Sequence, residues 1–335
     1  LGPGHCLRLW TKAQHHSLPP FHPPEIVNAD LALLALELAL WGVADAKALQ
    51  WLDPPREGLF RQARELLHSL QAIDDRGRIT QEGKKLAQLP LHPRLGCMLL
   101  RGQALGLAGL ACDVAALLIE RDLLRQAEVS AELGERLRLL HLWRHDGDKP
   151  LRQRGLDAQL CRRIDRAAAQ WRRLLGGREH GGEQASEPSD IGRLLIHAYP
   201  ERIARRRPGQ RERYQMAGGQ GLRLLPTDPL AASEYLIVAQ ADSGQSEGRI
   251  YLAEPIDLAD IATHHPHLFA NEDGVAWDAT TARVRALRRT CLGSIVVEER
   301  PLEQVGEQAL LQAMLRGISQ MGLDCLPWNR EARQF

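Results

Sequence analysis

Arginine is concentrated in one short segment of this 335-residue sequence. Between Glu201 and Arg213, six arginines accompany two glutamates, so the segment carries a local net charge of +4. Guanidinium groups bind phosphate oxygens through paired hydrogen bonds, and an adjacent aromatic ring can stack on a base. We therefore predict a surface for single-stranded nucleic acid, against the alternative of a charged loop that only faces water. Its predicted residues are Arg202, Arg205, Arg206, Arg207, Arg211, Arg213 and Tyr214.

A second basic segment, between residues 149 and 178, contains nine basic residues and two acidic ones. Its apolar residues recur at helical spacing over Leu156–Leu175, which predicts an amphipathic helix. Such a helix would present Arg162, Arg166 and Arg173 to nucleic acid. The alternative is a helix whose charges only face solvent.

The motifs of a self-contained enzyme are missing. The one Gly-Lys pair, Gly83-Lys84, is followed by Lys85 and has Arg78 where a phosphate-binding loop needs its first glycine. Neither G-x-G-x-x-G, H-E-x-x-H nor G-x-S-x-G occurs. The histidines of residues 264–267 favour a surface turn over a metal site, because a proline restrains them and no cysteine is near. The sequence therefore predicts no catalytic residue, metal or cofactor of its own.

Composition excludes several further classes. There are 43 Lys+Arg and 42 Asp+Glu, and aromatic residues make up only 4%, which favours helices over large β structures. The longest apolar runs are interrupted by Glu37 and Asp113, short of the roughly 18 residues that a membrane span needs. The six cysteines form no C-x-x-C pair, which is typical of reduced thiols in a cytoplasmic protein.

The segment from residue 25 to residue 93 shows a helical period followed by a tight turn. Helices are predicted from Asp30 to Trp41, over Ala44–Leu52 and over Arg56–Ile73, and a hairpin over Ile73–Ile79 precedes a helix capped by Thr80. This is the layout of a winged helix. Arg61 and Arg64 on its third helix would contact duplex phosphates if the module reads DNA.

The rest of the chain changes from helices to short strands. Helices are predicted over Leu99–Ile119, Ala131–His145 and Leu156–Leu175, and again over Pro301–Met321. Short apolar runs separated by turn residues predict a small antiparallel barrel. Those runs are Arg213–Ala217, Gly221–Leu225, Tyr235–Ala239 and Arg249–Ala253, with Val275–Asp278, Ala282–Thr290 and Ile295–Glu299 as extensions of the barrel. The expected fold class is mainly α with a smaller β part.

Several motifs in this order resemble those of DEAH-box helicases. The run Leu1–Trp10, with its strand-like Cys6–Trp10, is similar to the strand that follows motif VI in that family. Trp51–Pro55 resembles the family's F-x-D-P-P turn, and Leu86–Leu100 resembles L-A-x-L-P-L-x-P-R-x-x-x-M-L. Ala198–Ala204 resembles the A-Y-P-D-R-I-A motif of the bacterial HrpB-type members, and Leu326-Pro327-Trp328 fits them as well.

The resemblance implies the C-terminal accessory region of an ATP-dependent helicase, whose motor, with its ATP and Mg²⁺ sites, would lie upstream of Leu1. It implies the tail of a second RecA-like domain and a linker (1–24), a winged helix (25–93), a ratchet-like helical bundle (94–178), a linker (179–190), an OB-like barrel domain (191–300) and the start of an HrpB-type C-terminal region (301–335). The expected partners are single-stranded nucleic acid, which by family usage is RNA, and the motor domains of the same parent chain. The fragment alone would be inactive. The alternative function is a winged-helix DNA reader or a protein-interaction scaffold.

Overall fold

The computed structural model describes residues 2–18, 21–124, 130–149, 154, 156–176, 187–242, 247–281 and 283–322. The chain divides into two compact units, Leu1–Pro93 and Arg94–Phe335. Among these described residues helices predominate and strands occur only in the second unit, so the expected mainly α composition with a smaller β part is confirmed. Among the described residues, no helix is both long and apolar enough to cross a membrane.

The first unit is a small helical domain. Its helices are α1 (Lys12–Ser17), α2 (Ala32–Leu40), α3 (Glu57–Ser69) and α4 (Gln81–Ala87). The apolar helix α2 packs against α3 and α4, with Leu36, Leu67 and Leu86 buried between them. Thr80 begins α4 as predicted, because its hydroxyl accepts a hydrogen bond from Gly83 N–H at 3.0 Å. The predicted hairpin is a tight turn closed by one bridge between Ile73 and Ile79.

Two local predictions in the first unit are wrong. The predicted helix Ala44–Leu52 is a single 3₁₀ turn, Ala46–Ala48, because so short a segment cannot offset the cost of nucleating a helix. The run Cys6–Trp10 forms no strand in the described part of the chain. A strand needs a neighbouring strand for its backbone hydrogen bonds, and residues 6–10 have none within this unit.

The second unit begins with a bundle of helices. These are α5 (Pro93–Ala104), α6 (Ala108–Ile119), α7 (Leu133–Asp146), α8 (Ala158–Leu174) and α9 (Pro188–Ala198). The apolar helix α6 lies at the centre and packs against α7, α8 and α9. The single helix predicted over Leu99–Ile119 is two helices, because Gly106 adopts a left-handed φ of 76° that ends α5.

One buried carboxylate ties the bundle together. Asp113 on α6 accepts two hydrogen bonds from Arg144 of α7, at 2.6 and 2.7 Å, and it also pairs with Arg172 of α8. Burial alone would raise the pKa of Asp113, but hydrogen bonds from Arg144 and His141 and the charges of Arg144 and Arg172 lower that pKa to about 2. The carboxylate is therefore fully ionised at neutral pH and holds three helices in register.

A closed five-stranded barrel follows the bundle. Its strands are β1 (Ile203–Arg206), β2 (Arg213–Met216), β3 (Gly221–Arg223), β4 (Tyr235–Ala241) and β5 (Gly248–Pro255). The strand order is β1-β2-β3-β5-β4, with β3 and β5 parallel and all other neighbours antiparallel. Tyr214, Leu222, Leu236 and Ile250 fill the interior. The four strands predicted for the barrel are confirmed, whereas β1 was not predicted.

The bundle is attached to the barrel by two buried carboxylates. Asp228, which precedes β4, accepts hydrogen bonds from the backbone N–H of Ala131 at 2.7 Å and from Leu230 N–H at 3.0 Å. Glu254 on β5 accepts a hydrogen bond at 2.9 Å from the N–H of Gly134, in the first turn of α7. Burial and the nearby charge of Glu132 raise the pKa of Glu254 to about 7, although the hydrogen bond from Gly134 N–H acts to lower it.

A separate antiparallel sheet lies beyond the barrel. Its strands β6 (Phe269–Asp278), β7 (Arg283–Leu292) and β8 (Ile295–Pro301) are preceded by α10 (Leu258–His264) and followed by α11 (Glu307–Met321). The expectation that these strands extend the barrel is wrong, because β6 and β7 pair with each other along their full length. The acidic run Asn271–Gly274 therefore lies within β6 and is paired with β7.

Helix α11 packs closely on this sheet through a glycine. A Cβ added at Gly317 would lie 2.2–2.6 Å from atoms of the Trp277 ring. We expect Gly317→Ala to destabilise the packing of α11 by about 1–3 kcal/mol, because the overpacked ring must move. Thermal unfolding with hydrogen exchange of the α11 amides measures this loss. Gly109→Ala, whose added Cβ meets nothing within 4 Å, is the matched control, and equal effects of the two variants would contradict the prediction.

Candidate nucleic-acid interface

Two of the predicted arginines lie on β1 and bind the protein itself. The guanidinium of Arg205 pairs with Glu234 at 2.9 Å and donates a hydrogen bond of 2.6 Å to the carbonyl of Val296, at the start of β8. Arg206 donates a hydrogen bond to the carbonyl of Ala231 at 3.0 Å. Both side chains therefore have partners within the protein, and both lie on a strand rather than in the charged loop of the alternative interpretation.

Arg202 is likewise engaged. Its guanidinium lies over the ring of Tyr199, 4.9 Å from the centroid, and donates a hydrogen bond of 3.1 Å to the carbonyl of Ala239. Arg94 approaches the same ring at 5.3 Å and pairs with Glu201 at 2.7 Å. Arg202 thus belongs to a cation–π stack at the entry to the barrel.

The prediction that Tyr214 stacks on a base is wrong. Its side chain is fully buried in the barrel, and its hydroxyl donates hydrogen bonds to the carbonyls of Leu230 and Ser233 at 2.9 and 2.8 Å. Burial raises its pKa to about 12, so the hydroxyl stays a neutral donor. The physical reason is the alternation of a strand: when Arg213 faces outward, the adjacent Tyr214 must face inward.

The outer surface of the barrel carries a row of arginines on three neighbouring strands. Arg213 on β2 is opposite Arg223 on β3, and Arg223 is opposite Arg249 on β5. We call Arg213, Arg223 and Arg249 the arginine row. Their inward neighbours Tyr214 and Leu222 are buried, which places the row on the outside. Arg223 is exposed and has no ion pair or side-chain hydrogen bond within the part of the chain that the structure describes.

Acidic residues neutralise only part of the charge around the row. Glu247 pairs with Arg207 at 3.1 Å and with Arg213 at 3.5 Å. Arg211 is exposed in the loop between β1 and β2, so it adds charge at the end of the row. Like charges on directly opposed strand positions are unfavourable. An anion placed over Arg213 and Arg223 relieves that repulsion, which makes the row a phosphate-binding candidate.

The basic helix predicted over Leu156–Leu175 is α8, and it has two kinds of arginine. Arg163 and Arg172 pair with Glu120 and Asp113 at the packed side of the helix. Arg162, Arg166 and Arg173 are exposed, and their spacing of four and seven residues puts them on one stripe. Arg162 in that stripe pairs with Asp148, and Arg166 Nε donates to the Arg162 carbonyl at 3.2 Å.

Comparison with known proteins accounts for this combination of elements. The family model for the winged-helix part of the helicase-associated domain (HA2) matches residues 63–91, and the model for the connector region of the ATP-dependent RNA helicase HrpB matches residues 268–302. The ATP-dependent RNA helicase HrpB of Escherichia coli is 33% identical over 337 residues, which is 100% of this chain and 38% of that protein. This chain matches the C-terminal region of HrpB-type helicases.

Solved structures and more distant relatives agree with the HrpB match. The crystal structure of the E. coli DExH-box NTPase HrpB superposes with a TM-score of 0.70 at 33% identity, covering 97% of this chain and 37% of that one. A probable ATP-dependent RNA helicase of Saccharomyces cerevisiae is 30% identical over 148 residues, 43% of this chain and 20% of that protein. The chain thus spans well under half the length of its HrpB relative.

The HrpB connector match coincides with the separate sheet. Residues 268–302 contain all of β6, β7 and β8, the strands expected at first to extend the barrel. The HA2 winged-helix match covers most of α3 and all of α4, where the sequence predicted a winged helix. On α3, Arg61 lies just before the matched residues and pairs with Glu65 at 3.8 Å, and the Arg64 guanidinium lies against Gly77 of the tight turn.

Sequence reasoning on this HrpB-like chain missed Arg223 and Arg249. In the predicted strands, Arg223 follows the inward-facing Leu222 and Arg249 precedes the inward-facing Ile250. Strand alternation would therefore have placed both arginines outward. What the sequence does not contain is the parallel pairing of β3 with β5, which brings the two side by side. The linker predicted over 179–190 falls largely outside the described residues, and so does the motif at 326–328.

The histidines of residues 264–267 differ from the expected surface turn. His265 is buried, and its Nε2 lies 3.0 Å from Nδ1 of His197 on α9. Burial and neighbouring positive groups lower the pKa of His265 to about 4 and that of His197 to about 3, so both are neutral at pH 7. Within the described ranges, no three metal-ligating side chains come close enough to hold an ion.

Proposed function

We propose that this chain is the accessory region of an ATP-dependent RNA helicase and guides single-stranded RNA across its barrel. The observation that carries the proposal is the arginine row, because three outward arginines on adjacent strands suit a phosphate backbone. The strand order β1-β2-β3-β5-β4 supports an OB-type barrel, whose β2–β3 face and β1–β2 loop bind oligonucleotides in other proteins. Arg213 and Arg223 lie on that face, Arg249 lies on the adjoining strand β5, and Arg211 lies in that loop.

In this proposal, ATP and Mg²⁺ are bound by motor domains outside this sequence. The chain contains no G-x-x-x-x-G-K-[ST] motif, so we expect no ATP hydrolysis by the chain alone. The partners in this proposal are single-stranded RNA and RecA-like motor domains of the same parent protein, acting in the cytoplasm. RNA is chosen over DNA because the relatives are named ATP-dependent RNA helicases. The exposed stripe Arg162, Arg166 and Arg173 on α8 is a second proposed contact for the same strand.

Salt dependence of RNA binding tests the role of the arginine row. We expect a labelled, unstructured RNA to bind the 335-residue chain with an affinity that falls log-linearly with salt. Removing two phosphate contacts in the double variant Arg213→Ala/Arg223→Ala should reduce the slope by about 1.4. The same variant should weaken binding roughly tenfold or more, because charged hydrogen bonds are lost. Fluorescence anisotropy at several salt concentrations measures both.

The matched control is Arg300→Ala, which removes an exposed arginine of β8 that pairs with Glu298. It should leave the slope unchanged, since Arg300 lies outside the barrel. An unchanged slope in the double variant would contradict the proposed role of the row. Stronger binding of duplex DNA, abolished by Arg61→Ala/Arg64→Ala, would instead favour the winged-helix DNA reader. If no nucleic acid binds even at low salt, the remaining alternative, a protein-interaction scaffold, would be favoured.

A further inference from the structure

An exposed tyrosine lies beside the arginine row. The sequence has four tyrosines, all within the described residues, and Tyr251 on β5 is the one at an exposed position, with 42% of its surface accessible. It is two residues from Arg249, and the contact between the Arg249 guanidinium and the Tyr251 ring places both side chains on the same outer surface of the barrel. Tyr251 therefore has what buried Tyr214 lacks: an accessible aromatic ring next to phosphate-binding groups.

The backbone at Tyr251 is irregular. Ala241 of β4 pairs with Ile250, and the preceding Gln240 pairs with Leu252, so Tyr251 is an extra residue in this strand pair. Such a bulge increases the local twist and redirects the side chain of the extra residue. The Tyr251 ring is accessible at this bulge, although Ile250 and Leu252 on either side of it are buried.

The ring is held in one orientation by its neighbours. The Tyr251 hydroxyl donates a hydrogen bond of 2.9 Å to Asp242, and the other oxygen of the same carboxylate accepts the backbone N–H of Arg249 at 2.7 Å. The Arg249 guanidinium lies 5.3 Å from the ring centroid, in cation–π contact. A ring fixed in this way loses little conformational freedom when a ligand stacks on it.

We propose that Tyr251 is a stacking platform for one base of the single strand whose phosphates lie on the arginine row. The inference rests on the proposed function, since it assigns the base contact of the same surface. Stacking tolerates any base, because every base has a π face, and it needs no hydrogen-bond readout. The site therefore takes single-stranded RNA of any sequence, with Arg223 and Arg249 on the backbone and Tyr251 on a base.

The test separates the base contact from the charge contacts. Tyr251→Ala should weaken binding of an unstructured RNA about 5- to 160-fold, the range of one lost stacking contact, and should leave the salt slope unchanged. Tyr251→Phe should keep wild-type affinity, since it retains the ring and loses only the hydroxyl. An otherwise identical oligonucleotide with abasic sites should bind the wild type and Tyr251→Ala equally. Trp41→Ala, at an exposed aromatic of the first unit, is the control and should have no effect.

The outcomes distinguish the inference from the proposed function. If the wild type binds RNA and Tyr251→Ala binds equally well, the stacking platform is overturned while the arginine row stands. If Tyr251→Phe loses as much affinity as Tyr251→Ala, the hydrogen bond to Asp242 is what matters and stacking is again overturned. If the wild type binds no RNA, the proposed function itself has failed. Circular dichroism of each variant verifies that it is folded.

Discussion

Replacing Asp113 by alanine is expected to destabilise the helical bundle by about 3–5 kcal/mol. The side chain is buried, and its carboxylate is the shared partner of Arg144 on α7 and Arg172 on α8. Truncation leaves two guanidinium groups, each largely shielded from water, without that negative charge. Urea unfolding with hydrogen exchange of the α6, α7 and α8 amides measures the loss.

The same network contains a matched control. Asp165 also binds Arg144, at 2.8 Å, but its side chain is 36% exposed and water can replace the lost contact. Asp165→Ala should therefore cost less than about 1 kcal/mol. If the two variants were equally destabilised, burial would not be the cause of the Asp113 effect. A loss below 1 kcal/mol in Asp113→Ala would contradict the structural role of the network altogether.

The lowered pKa of Asp113 gives this effect a pH window. The folded-state pKa of about 2 lies below the ordinary value of 3.8, so ionised Asp113 stabilises the fold above about pH 4. That contribution, about 2.5 kcal/mol, is lost as the pH falls from about 4 to about 2. Asp113→Ala should lack this part of the acid sensitivity.

Helical periodicity allowed most of the bundle to be predicted. On α8, Leu160, Ile164 and Trp171 recur on one face, and that face is the buried one. Local signals also placed the start of α4, because a threonine cap acts within three residues. The break after α5 was missed although Gly106 is visible in the sequence, since a glycine there is compatible with either a helix or its end.

The candidate interface was harder to predict, because it depends on contacts distant in sequence. Arg205 and Arg206 were assigned to nucleic acid, yet Arg205 binds Glu234 and the Val296 carbonyl, 29 and 91 residues away. Adjacency in the sequence also misled: Tyr214 follows Arg213 directly and so faces the opposite side of its strand. The pair Arg249 and Tyr251, two residues apart, shares a face. Strand alternation therefore predicts which side chains face outward. The sequence does not predict how the barrel closes, and so which outward side chains become neighbours.

The buried Glu254 makes the stability of the fold depend on pH near neutrality. Its folded-state pKa of about 7 exceeds the ordinary 4.5, because burial and the charge of Glu132 disfavour the ionised form. A group with a raised pKa stabilises the fold below its unfolded pKa, and that stability is lost as the pH rises through the folded pKa. The stability of the wild type should therefore fall by about 3 kcal/mol between pH 4.5 and pH 7 on account of Glu254.

Glu254→Gln should remove this dependence. The amide oxygen still accepts the hydrogen bond from Gly134 N–H, but no charge has to be buried at any pH. We expect the variant to be more stable than the wild type at pH 8 by up to about 3 kcal/mol and nearly equal to it at pH 4.5. Urea unfolding at a series of pH values measures the difference.

Charges on α7 and in the residues before it provide the control for this prediction. Glu132→Gln removes a negative charge that raises the pKa of Glu254, so it should move the wild-type transition to lower pH without abolishing it. Arg138, which pairs with Glu132 at 3.0 Å, then faces Glu254 alone and favours its ionised form. A transition that persists unchanged in Glu254→Gln would assign the titration to another group. In that case Glu254, which joins β5 to α7 through the N–H of Gly134, would be ionised over the whole pH range measured.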